Sequence, residues 1–211
     1  MLEKPFFHRL NQIADWILRI VTLNLFLVTS TLLIFTFYPG IAACYRLFKD
    51  WCEGESTTIF GGFWTYFKEE IKMKLAISTI LILVLLVGIF SMISYNAYIK
   101  EDAGLIYLIG YYVVLIFIIG FVMTTLFTIP IMIYFKNISL KNIYKLALYI
   151  FARYFPISLL VSILWIVPFV LLLIPSLMVI YVVAGLSLTI LLWVLVSRPI
   201  FKFLERIQQH D

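Results

Sequence analysis

The sequence predicts an all-α membrane protein, a bundle of about five transmembrane helices with amphipathic helices on the cytoplasmic face. Three observations predict it. First, hydrophobic residues make up 64% of the 211-residue chain and charged residues 13%, against roughly 45–50% and 25% in a soluble domain. The mean hydropathy is +1.09, an excess that a soluble core cannot hide, so acyl chains must solvate much of the surface. Second, the apolar residues gather into runs of membrane-crossing length. Third, most charges lie in the connectors between those runs. One polytopic domain over residues 1–211 follows.

The elements read in order as follows. Residues 1–15 form an amphipathic interfacial helix, with Phe6, Phe7, Leu10, Ile13 and Ala14 on one face against Lys4, Arg9 and Asp15. A secretory signal has a shorter apolar core of about 7–15 residues, whereas the run from Ile20 to Tyr45 carries no charge. The first span covers about 16–38 and ends at an expected hinge, Pro39-Gly40. There the proline ring clashes with the carbonyl four residues back and supplies no donor. Thr36 is placed to satisfy a freed carbonyl, and Trp16 and Trp51 bracket the segment as interface anchors. After a polar turn at 53–58, residues 57–74 read as one amphipathic helix. It sets Phe60, Phe63, Trp64, Phe67 and Ile71 against Lys68, Glu69, Glu70, Lys72 and Lys74.

The second span covers about 75–97 and the third about 104–134, joined by a short turn at Lys100-Glu101-Asp102; the third is long enough to tilt. A third amphipathic helix over 139–153 has Ser139 as N-cap and Leu140, Ile143, Tyr144, Ala147, Ile150 and Phe151 as its apolar face. The fourth span, about 154–174, contains Pro156 and Pro168. The fifth, about 177–196, follows a turn at Pro175-Ser176 and leads into a basic tail with Arg198, Lys202 and Arg206. The ends of spans one and three, Phe35-Thr36 before Pro39 and Phe127-Thr128 before Pro130, echo each other. A parallel repeat and chance recurrence explain this equally well.

Charge sets the orientation. With five crossings, 12 of the 16 basic residues share one side with the C-terminus, so the positive-inside rule puts the C-terminus in the cytoplasm and the N-terminus outside. The basic N-terminus fits this poorly. A re-entrant hairpin over 16–45 would make both ends cytoplasmic and leave only Lys100 outside, but about 26 apolar residues fall short of the roughly 40 that two full crossings need. The net charge of +5 is assigned to the anionic headgroups of the lipid bilayer. Without a basic run or stripe, nucleic acid is not a partner.

The chain contains no Walker loop, zinc-protease motif or nucleophile elbow, and its only histidines are His8 and His210. No enzyme activity, cofactor or metal is therefore expected. Cys44 and Cys52 read as small apolar fillers. The predicted spans contain no Asp or Glu, which argues against ion-coupled transport. Asn24 and Thr36 are the candidate polar residues in the membrane, Asn24 for a hydrogen bond between helices or to a ligand. Tyr107, Tyr111 and Tyr112 read as an interfacial belt. Glu53 and Glu55 lie on a solvated turn beside Lys49, with nothing to perturb them for catalysis. The sharper expectation is a partner-binding surface of Arg46, Trp51, Phe63, Trp64, Phe67 and Tyr144, since interface hot spots favour aromatic and arginine side chains. The blander one is that these helices rest in the headgroups.

Several stretches carry a family likeness: Trp16-Ile-Leu-Arg19, Asn24-Leu25, Phe35-Thr-Phe-Tyr-Pro39-Gly40, Ala42-Ala43, Arg46 through Lys49-Asp50-Trp51, Gly54-Glu55, Ile59-Phe60, Phe63-Trp64 and Phe67-Lys68. Across 1–75 the chain resembles the YesL-like family of small bacterial integral membrane proteins, whose function is unknown. Gly40 stands where that family usually has Ala, and Lys49-Asp50-Trp51 replaces its basic pair before tryptophan. The resemblance implies a bacterial plasma-membrane protein and an accessory role in carbohydrate uptake beside ABC importers, with a sugar importer permease as partner. It brings no catalytic residues. The alternative is a small pore, flippase or transporter for a sugar or lipid, with Asn24, Thr29, Thr31 and Thr36 lining a polar path.

Overall fold

The computed structural model describes residues 3–100 and 104–209, and among them regular structure is helical throughout. The elements are α1 (Glu3–Leu32), a 3₁₀ turn (Ile34–Thr36), α2 (Phe37–Cys52), α3 (Ile59–Lys68), α4 (Ile71–Lys100), α5 (Leu105–Tyr134), α6 (Leu140–Arg153), α7 (Phe155–Leu173), a 3₁₀ turn (Pro175–Leu177), α8 (Met178–Ile180), a π-helical turn (Tyr181–Gly185), α9 (Leu186–Val196) and α10 (Arg198–Gln208). Among the described residues five stretches are long and apolar enough to cross a membrane: Arg9–Leu32, Ile71–Ile99, Leu105–Tyr134, Phe155–Leu173 and Pro175–Val196. The chain is an all-α, multi-pass membrane protein. It divides into two compact units. The first holds α1 to α3 and the segment from Leu159 to Pro199; the second holds Lys72 to Ser158 and α10 from Ile200.

In the first unit α1 runs unbroken from Glu3 to Leu32. The separate interfacial helix expected over 1–15 is therefore its first half, because no Gly or Pro between Asn11 and Leu32 stops the helix. The chain turns at 33–36, upstream of the expected Pro39-Gly40 hinge. Leu33 is extended (φ −105°, ψ 93°) and a 3₁₀ turn follows. Pro39 lies in the first turn of α2, where its missing N–H has no intrahelical acceptor to serve. Its ring excludes an α-helical approach to the Phe35 carbonyl, so the break falls before it. Thr36 Oγ1 donates to the carbonyls of Ser30 and Leu33, both at 2.8 Å, and ties off the end of α1.

Beyond this turn α2 returns antiparallel beside α1. Gly40 faces Ser30 so closely that an added Cβ would lie 2.5 Å from Ser30 Oγ. Near the other end, the Trp16 and Trp51 rings meet edge to face at 6.5 Å. Roughly 13 residues separate Arg19 from Leu32, a rise of about 20 Å. Nearly all of α2 from Tyr38 to Trp51 is buried. In α3, Gly62 abuts Leu47 and Thr57, while Phe63 stacks on Phe26 of α1 at 4.8 Å. Within the same unit Tyr45 of α2 and Trp165 of α7 pack against Trp193 of α9, with ring centroids at 4.3 and 6.1 Å.

In the second unit α4 and α5 pair antiparallel: Tyr98 stacks on Tyr107 at 4.9 Å, and Gly88 accepts the Ile118 side chain. The turn expected between these helices falls largely on 101–103, outside the described residues. The single helix expected over 57–74 is two. α3 ends at Lys68, and Glu70 takes a left-handed φ of 50° before α4 begins at Ile71. Ser139 caps α6, its Oγ accepting from the Asn142 amide, and α6 buries Ile143, Ala147 and Ile150 along one helical face. Pro130 lies inside an unbroken α5, so the echo between the ends of spans one and three has no counterpart in backbone geometry. From α10, Phe203 packs against Tyr149 and Tyr154.

Candidate functional site

The densest polar chemistry lies where α2 meets α3. Arg46, Lys49, Asp50 and Glu53 recur at i, i+3, i+4 and i+7, which gathers them on one side of α2 and its C-cap. Tyr66 and Glu69 are spaced to meet that side from α3. Arg46 forms an ion pair with Glu69, and its guanidinium lies 4.3 Å from the centroid of the Tyr66 ring. The Tyr66 hydroxyl donates to Asp50 Oδ2 at 2.5 Å, and Lys49 donates to Glu53 at 2.6 Å. Asp50 is only 6% exposed. Burial raises its carboxyl above the usual range, with Glu55 adding to the rise, while the Tyr66 hydrogen bond, Arg46 and Lys49 oppose it. The Tyr66 phenol is also raised, first by burial and then by Asp50. The network consumes its own charges, so its chemistry is that of a clasp between two helices with one proton-binding carboxyl. The sequence signal was the charge spacing on α2; Tyr66 and Glu69 carried no signal before α3 was placed opposite it.

The residues expected to bind a partner divide. Trp51 is 5% exposed and Phe63 4%. Trp51 donates its indole N–H to the Thr57 carbonyl at 2.8 Å, and Phe63 is enclosed by Phe26, Trp64 and Phe67. Both are spent on internal packing, and Arg46 on its ion pair. Trp64 is 52% exposed, and so is Phe60, at 64%, one helical turn before it. Phe67 is half-buried beneath Trp64. Tyr144 belongs to the second unit, where it stacks on Phe121 at 5.8 Å. Cys44 and Cys52 are free thiols, and burial raises Cys52.

Asn24 is fully buried and serves the π-helical turn. Its Nδ2 donates to the carbonyls of Tyr181 (2.9 Å) and Val182 (2.6 Å), and its Oδ1 accepts from the amides of Leu186 and Ser187, each at 3.0 Å. A π turn shifts the hydrogen-bond ladder by one residue and leaves backbone groups without their α-helical partners. One amide side chain, with two donors and an acceptor of two bonds, fills that gap. Thr29, Thr31 and Thr36 donate to backbone carbonyls of α1 or of the turn after it.

Residues 20–92 match a family described as protein of unknown function, DUF624. The matched stretch contains Asn24, the α1–α2 turn, the α2–α3 clasp and the Phe60–Trp64 edge. No curated protein and no solved structure matches the chain.

Proposed function

We propose that this integral membrane protein is a non-enzymatic interaction component that docks another membrane protein on the exposed edge of α3. The observation that carries this reading is the contrast within one helix. Phe63 anchors α3 to the body, while Phe60 and Trp64, at i and i+4, stay exposed. A large rigid aromatic pair on an anchored helix is the kind of surface that supplies interface hot spots. The YesL-like resemblance supports a bacterial plasma-membrane setting and a sugar ABC importer permease as the partner. The pore reading has less support, because the polar atoms of Asn24, Thr29, Thr31 and Thr36 are committed to backbone groups.

Both termini belong in the cytoplasm on this reading. Trp51 lies beside Trp16 and Arg19, and the Arg198 charge acts on Cys52, which favours one shared side for these ends of the first unit. The α1–α2 turn exposes Leu33, Ile34 and Phe35, a tip suited to hydrocarbon rather than water. Its depth of about 20 Å fits a re-entrant hairpin in a core of about 30 Å. Counted this way, 15 of the 16 basic residues share the cytoplasmic side and Lys100 alone faces outward. Affinity capture in mild detergent should recover a stoichiometric membrane partner, and the double variant Phe60→Ser, Trp64→Ser should lose it while staying folded, its thermal midpoint lowered only by the ring contacts given up to Phe26, Phe63 and Phe67. Undiminished recovery by that variant refutes the docking edge.

A further inference from the structure

We infer that the groove at the tryptophan-bearing end of the α1–α2 hairpin binds the headgroup of an anionic phospholipid carrying free hydroxyls, of the phosphatidylglycerol type. The groove has a volume of about 540 Å³ and lies wholly within the first unit, lined chiefly by Arg9, Gln12, Asp15, Trp16 and Arg19 of α1 and Trp51 of α2. Residues 9, 12, 16 and 19 recur at helical spacing, so one face of α1 presents them together. The Arg19 guanidinium sits 5.5 Å from the Trp16 ring centroid and 4.6 Å from that of Trp51. Two aromatic faces hold its direction, and among the described residues no carboxylate forms an ion pair with it. Its donors are thus aimed but unmatched by an anion, and guanidinium is the side chain best suited to a phosphate oxygen pair.

The rest of the lining selects among anions. Two arginines against one aspartate favour a single negative group. Asp15 is exposed at the rim and would repel a second phosphate or a carboxylate there, but it accepts hydrogen bonds from hydroxyls. A glycerol headgroup beyond the phosphate supplies those hydroxyls. The source is a lipid rather than a soluble phosphate because the α1 surface on the hydrocarbon side of Arg19 is apolar and open: Leu25 and Leu32 are both exposed. Acyl chains from a phosphate seated at Arg19 would run along them. Tryptophans gather at the headgroup level, where such a phosphate would sit.

The test is retention of lipid through purification. The full-length protein is placed in nanodiscs of phosphatidylcholine with equal minor fractions of phosphatidylglycerol and phosphatidic acid, then released and its bound lipid read by native mass spectrometry. Phosphatidylglycerol should be retained over phosphatidylcholine by about tenfold or more. Arg19→Gln should abolish that preference, and Asp15→Asn should narrow the margin over phosphatidic acid. Inorganic phosphate at millimolar concentration should not displace the lipid. Equal retention of all three lipids, or an unchanged preference in Arg19→Gln, overturns the proposal, and displacement by inorganic phosphate reassigns the groove to a soluble anion. If Arg19→Gln does not fold, the exposed-rim variant Arg9→Gln decides: a reduced preference supports the site and an unchanged one refutes it.

Discussion

Replacing Asn24 by Leu keeps the side-chain volume and removes all four hydrogen bonds to the π turn. Two carbonyls, of Tyr181 and Val182, and two amides, of Leu186 and Ser187, then lose a partner. No water is at hand to replace it, since Asn24 is completely enclosed. Hydrogen bonds between membrane helices average about 0.6 kcal/mol and reach about 1.7, while a buried group left unsatisfied costs about 1–3 kcal/mol. Four groups at the lower end of these ranges give a loss of about 2.5–4 kcal/mol, or roughly 100- to 1000-fold in the unfolding equilibrium. Reversible unfolding in mixed micelles, titrated with a denaturing detergent, measures it. Asn24→Asp should be no better, because it keeps an acceptor for the two amides but turns carboxylate oxygens toward two carbonyls. Backbone hydrogen exchange gives a second readout, with the Leu186 and Ser187 amides exchanging faster in both variants. A loss under about 0.5 kcal/mol in Asn24→Leu, with those amides still protected, would show that the π turn is stable without its plug.

Gly40→Leu should part the α1–α2 hairpin, since even a Cβ there meets Ser30. Overpacking of this kind typically costs 1–3 kcal/mol, and a wild-type thermal midpoint in detergent would refute the close approach. Asp50 makes a prediction about pH. Its native carboxyl is held above the ordinary range by burial, so the folded chain binds this proton more readily than the unfolded one. Stability contributed here is present at low pH and falls as pH rises from the ordinary carboxylate value, about 4, through the raised native value. Asp50→Asn keeps an acceptor for Tyr66 and should flatten that slope while leaving the neutral-pH midpoint equal or higher; a variant that retains the full slope assigns the pH dependence elsewhere.

How far the sequence was legible differs from element to element. The α6 helix could be read residue by residue, cap included, because Ser139 and the Ile143, Ala147, Ile150 periodicity act locally. The proline rule located the first break only approximately. A proline forbids helix behind itself but is at home in the first turn of the next helix, so Pro39 moved the turn upstream to 33–36. Asn24 could be flagged as polar in a membrane setting, but its partners lie more than 150 residues away and depend on a π turn that no local pattern announces.

Hydropathy and charge placement by themselves determined that this chain is helical, that lipid is its solvent and roughly where its long helices lie, because the cost of burying polar backbone and charge in hydrocarbon is set residue by residue. Tertiary structure decided the rest: that α2 folds back on α1, that Trp51 and Phe63 turn inward while Phe60 and Trp64 turn out, and that Arg46, Asp50, Tyr66 and Glu69 pair across two helices. Those outcomes depend on which side of each helix meets another. A helical repeat in the sequence defines a face, but only the packed neighbour determines whether that face is covered.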